Sequence, residues 1–345
     1  MVMHELSKHT SRRPEMSGAL VDRFGRIQDY LRISVTDRCN LRCTYCMPAE
    51  GVVWKRRSDL LTDAEIVRVG KVMASLGVRK IRLTGGEPTT RTGLAGLVAQ
   101  LHSIDGIETV SLTTNGVLFA RFAEDLKAAG LYGVNISLDS LDRENFIRIA
   151  RRDALQHVLS SVHAALECGF AAVKINVVVM AGVNEHELLD FVELAKDNPL
   201  NVRFIEYMPF KGNRWEGSGI VSYDDMRSKI EQMYPLHALP ETFTTNRIAE
   251  DFTIPGFRGR ISIIASMTRS FCSACSRLRL TSDGALKACL FYPAQGQLRT
   301  LMRSDADDEE LKRAIRQVVG QKPEGHPEPE RLEALNDLSM IEIGG

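Results

Sequence analysis

No apolar run in this 345-residue sequence approaches the roughly 18 residues that a membrane-spanning helix needs, so no membrane partner is expected. Net charge is missing too. The 44 Lys and Arg balance the 44 Asp and Glu, which leaves no global field to attract nucleic acid, and any anion site must be a local cluster. An export signal is also absent. Arg12-Arg13 sit in a polar stretch from Met1 to about Val21, but no apolar segment follows them. A reducing, cytoplasmic setting is therefore expected. The seven cysteines are then ligands or buried thiols rather than disulfides.

What remains is ordinary globular composition, 44% apolar and 26% charged, in a chain long enough for a large core. From Tyr30 onward, strand-like runs at Leu31–Val35, Lys80–Thr84, Thr109–Thr113, Gly133–Leu138, Ala172–Val179 and Asn201–Tyr207 alternate with helical segments. The helices are expected at Thr62–Leu76, Leu94–Ile104, Leu118–Ala129, Ala154–Cys168 and Glu185–Asp197, the first opened by a Thr62/Glu65 capping box. Such alternation predicts parallel strands with right-handed crossovers. The fold class is α/β, an open, partial (β/α)6 barrel with a C-terminal extension. Three regions are expected: a flexible 1–22, a core over 23–210, and a C-terminal region over 211–345 with a helix at Tyr223–Met233, a strand at Arg260–Ser266 and an acidic helix at Asp305–Val319.

Within the strands, polar residues alternate with apolar ones. Arg32, Ser34 and Thr36 interleave with Leu31, Ile33 and Val35; Lys80, Arg82 and Thr84 with Ile81 and Leu83; Ser111 and Thr113 with Val110 and Leu112; Asn135, Ser137 and Asp139 with Val134, Ile136 and Leu138; Lys174 and Asn176 with Val173, Ile175 and Val177. Parallel strands covered on both faces normally read as continuous apolar runs. One polar face predicts a lumen that holds a ligand. The sixth strand breaks the pattern, since Arg203 and Met208 fall on opposite parities.

Cys39, Cys43 and Cys46 follow the first strand directly. Three thiolates on one loop can converge on a metal centre but leave one coordination position over, whether for zinc or for a 4Fe-4S cluster. Zinc lacks a nearby fourth ligand, the next His being His102, and a thioredoxin-like pair leaves Cys39 without a place. A cluster with one open iron fits best. Cys272, Cys275 and Cys289 repeat the vacancy, with zinc plus a distant His237 or His326 as the alternative. Cys168 belongs to neither set and is expected to be a buried thiol.

The Cys39-x-x-x-Cys43-x-x-Cys46 loop with Tyr45, together with Gly85-Gly86-Glu87-Pro88, resembles the radical S-adenosylmethionine enzymes. The motifs LRISVTDRCNLRCTYCMP, RLTGGEPTTR, LTTNG, NISLDS, RFIEYM and FCSACSRLRL and the terminal Gly344-Gly345 narrow the resemblance to the GTP 3′,8-cyclases of molybdenum cofactor biosynthesis, over Phe24 to Gly345. The resemblance implies a lyase that uses two 4Fe-4S clusters and S-adenosyl-L-methionine to convert GTP to (8S)-3′,8-cyclo-7,8-dihydroguanosine 5′-triphosphate. Cys39, Cys43 and Cys46 would hold one cluster, and Cys272, Cys275 and Cys289 the other. Tyr45, Gly86, Ser137 and Met208 would line S-adenosylmethionine. Arg32, Arg82, Thr113, Lys174, Arg277, Leu278 and Arg279 would meet GTP, and Arg277, Arg279, Gly344 and Gly345 would act in catalysis. The same resemblance implies a homodimer, an electron donor such as flavodoxin or ferredoxin, and transfer of the product to cyclic pyranopterin monophosphate synthase. The competing readings are another radical enzyme of this superfamily acting on a peptide, and a zinc-stabilised binding module.

Overall fold

The computed structural model describes residues 18–48, 51–211, 213, 217–240, 248–327, 331–332 and 339–344. Residues 1–17 and Gly345 lie outside the described residues, and so do most of the expected N-terminal extension and half of the terminal Gly-Gly. The end of that extension is ordered. Leu20 and Asp22 are buried, and Leu20 N–H donates to Leu76 O at 3.1 Å.

Six strands run β1 (Tyr30–Ser34), β2 (Lys80–Thr84), β3 (Thr109–Thr114), β4 (Gly133–Ser137), β5 (Ala172–Val179) and β6 (Asn201–Glu206). Six more follow: β7 (His237–Ala238), β8 (Glu250–Thr253), β9 (Arg260–Ile264), β10 (Arg277–Leu280), β11 (Ala285–Lys287) and β12 (Gly296–Gln297). They form one open sheet in the order β12-β11-β10-β1-β2-β3-β4-β5-β6-β9-β8-β7. From β10 through β9 all neighbours are parallel, and the outer strands add antiparallel. The class is α/β with a mostly parallel sheet. The C-terminal region is joined to both ends of the parallel block, because β9 pairs with β6 and β10 with β1.

The helices are α1 (Asp63–Ser75), α2 (Leu94–His102), α3 (Ala123–Ala128), α4 (Arg143–Ala150), α5 (Leu155–Glu167), α6 (Leu188–Asp197), α7 (Tyr223–Glu231), α8 (Leu298–Arg303) and α9 (Asp308–Gly320). The Thr62/Glu65 capping box forms, with Glu65 N–H 3.2 Å from Thr62 Oγ1 and Thr62 N–H 2.8 Å from Glu65 Oε2, a cap of about 1 kcal/mol. The acidic helix starts at Asp308 rather than Asp305 because Asp307 and Glu310 close a second capping box. The run Leu118–Ala129 splits into a 3-10 turn and α3, with Ala120 N–H given to Ser161 Oγ at 3.0 Å instead of a helical carbonyl. α4 was not expected; Asp142 caps it through Asn145 N–H.

The alternation has its expected effect. Leu31, Ile33, Ile81, Leu83, Val110, Leu112, Val134, Ile136, Val173 and Ile175 are all buried in one core with Ile66, Val69 and Met73 of α1 and Val158 of α5. Each such side chain contributes about 2 kcal/mol by leaving water. The polar residues face the other side. β6 ends at Glu206, so Met208 lies beyond the strand and its parity does not govern its direction.

Candidate active site

The loop after β1 and the loop after β2 are built against each other. Gly86 N–H donates to Thr36 O at 2.8 Å, and Glu87 N–H to Arg38 O at 2.6 Å. A Cβ on Gly86 would stand 2.3 Å from Arg38 O, and one on Gly85, whose φ is +152°, 2.6 Å from Thr36 O. Glycine is needed here so that the two loops can meet, before any ligand is considered. Glu87 is fully buried and accepts from Thr89 N (3.0 Å), Thr114 Oγ1 (2.7 Å) and Asn115 N (2.6 Å), which binds the loop to the end of β3. Asn115 Nδ2 in turn donates to Asn40 Oδ1 at 2.7 Å and lies 3.7 Å from Cys39 Sγ.

The far side of the cysteine loop rests on α4. Arg42 N–H donates to Ala150 O and Thr44 N–H to Ile149 O, at 3.1 and 2.9 Å. Tyr45 OH donates to Asp139 Oδ2 at 2.7 Å, while Asp139 Oδ1 accepts Val178 N–H at 2.8 Å. Burial pushes the Asp139 carboxyl up to about 6, against the pull of those hydrogen bonds. Burial also raises the thiols of Cys39, Cys43 and Cys46; Cys43 and Cys46 are raised further by neighbouring cysteines and Asp139, and Cys39 by Glu87. The three thiols are free and line one cavity. The donor set suits an iron–sulfur cluster: three soft ligands facing a shared space, with Leu41 N–H 3.4 Å from one sulfur. Among the described residues, no group of three His, Cys, Asp or Glu is set to hold a single metal ion.

That cavity, of about 260 Å³, lies at the C-terminal ends of the strands. Tyr45, Gly86, Ser137 and Met208 line it together with Arg32, Thr113 and Arg279. A second cavity of about 760 Å³ opens at the N-terminal ends of the strands and holds Lys174, Lys80 and Arg260. Tyr30, Arg82, Asn135, Arg203 and Arg277 border both. The expected GTP contacts thus do not share one chamber. Arg32, Thr113 and Arg279 belong to the upper chamber, Lys174 to the lower, and Arg82 and Arg277 to the junction. Leu278 is in the hydrophobic core, so its side chain reaches neither.

β10 explains how residues far apart in sequence meet. Its parallel register sets Arg277 beside Tyr30 and Arg279 beside Arg32, and Arg32 also faces Arg82 on β2. Burial and mutual repulsion lower these cations: Arg279 to about 10, Arg203 to about 10 and Lys174 to about 8. Burial raises the Tyr30 phenol, but the guanidiniums of Arg82, Arg32 and Arg277 outweigh it and hold the group at about 7. Arg82 Nε donates to the Tyr30 hydroxyl, and Arg82 Nη1 to Leu112 O at 3.0 Å. Such crowding favours a polyanion. Tyr30 and Arg203, which border both chambers, were not among the expected GTP contacts, although Arg203 stands in the quoted RFIEYM motif.

Cys272 and Cys275 precede β10, and Cys289 follows β11. Their thiols are free, and their neighbours Phe271 and Leu290 line the upper chamber. Burial raises Cys289, and the neighbouring Cys275 and Cys272 raise it further. His326, one of the distant zinc ligands considered, instead engages Pro327 O at 2.8 Å and meets Phe291 edge-on. The other, His237, is exposed on the edge strand β7. Gly344 is buried, and a Cβ there would be 2.5 Å from Ser34 Cβ; it caps a four-residue helix, Met340–Ile343, whose first residue lines the upper chamber. Cys168 is half-buried at the end of α5. No helix among the described residues is long and apolar enough to cross a membrane.

Residues 33–195 match the Radical SAM superfamily, and residues 200–328 match Molybdenum Cofactor Synthesis C. Molybdenum cofactor biosynthesis protein 1 of Mus musculus is 48% identical over 329 residues, 95% of this chain and 51% of that protein. The mitochondrial GTP 3′,8-cyclase of Arabidopsis thaliana is 44% identical over 96% of this chain and 84% of its own length. The GTP 3′,8-cyclase of Moorella thermoacetica is 43% identical over 88% and 94%. The chain spans about half the length of the animal relatives it matches and most of the plant and bacterial ones. The crystal structure of Streptococcus suis SuiB shares the fold, with a TM-score of 0.58 at 17% identity over 85% of this chain and 69% of that one. The loop, the second cysteine set and these identities agree: the chain belongs to the radical S-adenosylmethionine superfamily and, within it, to the family of the GTP 3′,8-cyclases.

Proposed function

We propose that the chain converts GTP to (8S)-3′,8-cyclo-7,8-dihydroguanosine 5′-triphosphate, the first step of molybdenum cofactor biosynthesis. The observation that carries this reading is the pair of adjoining chambers, with cysteines at the upper end and a concentration of cations at the junction and below. A nucleoside triphosphate has that polarity: a flat base at one end and a dense anion at the other.

Cys39, Cys43 and Cys46 would hold a 4Fe-4S cluster, and Tyr45, Gly86, Ser137 and Met208 would line S-adenosylmethionine beside it. When bound, that pair supplies a carbon radical able to remove hydrogen from a ribose carbon. The remaining work falls to the protein. Lys174, Arg82, Arg203 and Arg277 hold the phosphates, with guanidinium groups as bidentate donors. Arg32, Thr113 and Arg279 hold the nucleoside in the upper chamber. A second cluster on Cys272, Cys275 and Cys289 would take the guanine, so GTP is fixed at both ends and C8 is kept within reach of C3′. Arg277 and Arg279 are also able to donate to the reacting guanine nitrogen. Gly344, which packs against Ser34, would act in catalysis together with Gly345.

We further read the β1–β6 units as an open (β/α)6 barrel over 23–210, with the cluster-binding region over 211–345. A homodimer, a flavodoxin- or ferredoxin-type donor and delivery of the product to cyclic pyranopterin monophosphate synthase complete the proposal. The test is anaerobic: with S-adenosylmethionine and a reductant, 5′-deoxyadenosine should form in step with GTP consumption. Equal stimulation by a peptide, with GTP inert, would favour a peptide-modifying relative.

A further inference from the structure

Three thiolates in the protein interior carry negative charge that something must balance. Near Cys272, Cys275 and Cys289 a buried cation is already in place. Lys322 follows α9 and is 2% exposed. A lysine buried to that degree is costly unless its ammonium is fully engaged. Its Nζ donates to Arg277 O and to Ala288 O, both at 2.7 Å. Arg277 is two residues past Cys275, and Ala288 immediately precedes Cys289. Lys322 thus joins the strand after one pair of ligands to the turn that carries the third.

The two carbonyls satisfy donors but bring no charge. The groups that attract Lys322 electrostatically are Cys275 and Cys289. Arg26 stands nearby but is already matched: its Nε pairs with Asp22 at 2.6 Å, and its Nη groups donate to Cys272 O, Glu324 O and Pro323 O at 2.6–2.7 Å. Arg26 is therefore a brace for the Cys272 turn. Arg277 and Arg279 also direct positive charge at these thiols, but it is the Lys322 ammonium that bridges the segments carrying Cys275 and Cys289.

We infer that Lys322 is the counter-charge of the C-terminal triad, a positioning residue that holds its two halves in register and raises the reduction potential of the iron–sulfur centre on it. The inference rests on the reading that this triad carries such a centre. A fixed positive charge beside a ligand sulfur stabilises the more negative, reduced state.

The test uses the full chain, reconstituted anaerobically with iron and sulfide, as wild type, Lys322→Gln, Lys322→Arg and Cys289→Ser. Cys289→Ser identifies the C-terminal signal in an electron paramagnetic resonance redox titration. Lys322→Gln keeps an N–H donor and removes the charge. The C-terminal midpoint should fall in that variant and return toward wild type in Lys322→Arg, while the N-terminal midpoint stays put. Loss of the C-terminal signal in Lys322→Gln but not in Lys322→Arg would equally support the counter-charge. An unchanged midpoint in Lys322→Gln would overturn it, as would equal iron loss in both lysine variants. A wild type with a single signal would instead sink the second cluster itself, and is distinguishable from either.

Discussion

Around Cys39, Cys43 and Cys46 the fixed charges are mainly acids, Glu87 and Asp139, with Arg42 the exception near Cys39. Around Cys275 they are the cations Lys322 and Arg277; burial raises the Cys275 thiol, but these cations outweigh it and the group ends lowered. The fixed charges beside Cys39, Cys43 and Cys46 and those beside Cys275 therefore differ in sign. An acid beside a cluster resists the added electron, and a cation welcomes it. The first setting suits a strong reductant that must break a stable bond. The second suits the substrate-holding centre of the proposed function, which receives charge. Cysteine spacing alone carries none of this distinction.

The largest expected effect comes from removing one side of the comparison. Cys289→Ser should abolish GTP turnover and remove about half of the bound iron, leaving the N-terminal signal intact; loss of both signals would mean that the triads depend on one another. Gly86→Ala attacks the other side. Its Cβ would meet Arg38 O at 2.3 Å, so the variant should lose about 3 kcal/mol of stability and the N-terminal iron first, read by thermal unfolding and iron content. Wild-type stability would mean that the paired loops can separate freely.

Smaller effects probe the junction between the chambers. Lys174→Ala should weaken GTP binding about tenfold, a loss of about 1.4 kcal/mol, and guanosine binding far less. Equal losses would take Lys174 away from the phosphates. The smallest effect is a pH dependence. Lys174 titrates at about 8 and Tyr30 at about 7 in the free protein. Phosphate favours the protonated form of each, so GTP affinity should fall a few-fold from pH 7 to pH 9, with proton uptake on binding near pH 8 seen by calorimetry in buffers of different ionisation enthalpy. Proton release, or none, would contradict the assignment.

Much of the fold could be read locally. The Thr62/Glu65 cap and the alternation of Leu31 and Ile33 with Arg32 are patterns of neighbours, and the helix and strand followed them. The cysteine spacings were legible for the same reason. β10 was not, because Arg277–Leu280 gains its strand character from the distant β1, with Tyr30 beside Arg277, through a register no local pattern encodes. Lys322 was not legible either, since it looks like an ordinary surface residue until the fold buries it against Arg277 O and Ala288 O; Asp139 and Asn115 stood in the NISLDS and LTTNG motifs, but their partners Tyr45 and Asn40 did not show there. Gly86 was legible as a residue, but its reason was not. It first accommodates the Arg38 backbone.

The central claim is that both triads serve one reaction on GTP. The most direct measurement incubates the reconstituted chain anaerobically with S-adenosylmethionine, reductant and GTP deuterated at C3′, and follows deuterium by mass spectrometry. Transfer of that deuterium into 5′-deoxyadenosine, together with a product bonded from C3′ to C8, is the predicted result. Formation of 5′-deoxyadenosine at the same rate without GTP, and without deuterium when GTP is present, would contradict it.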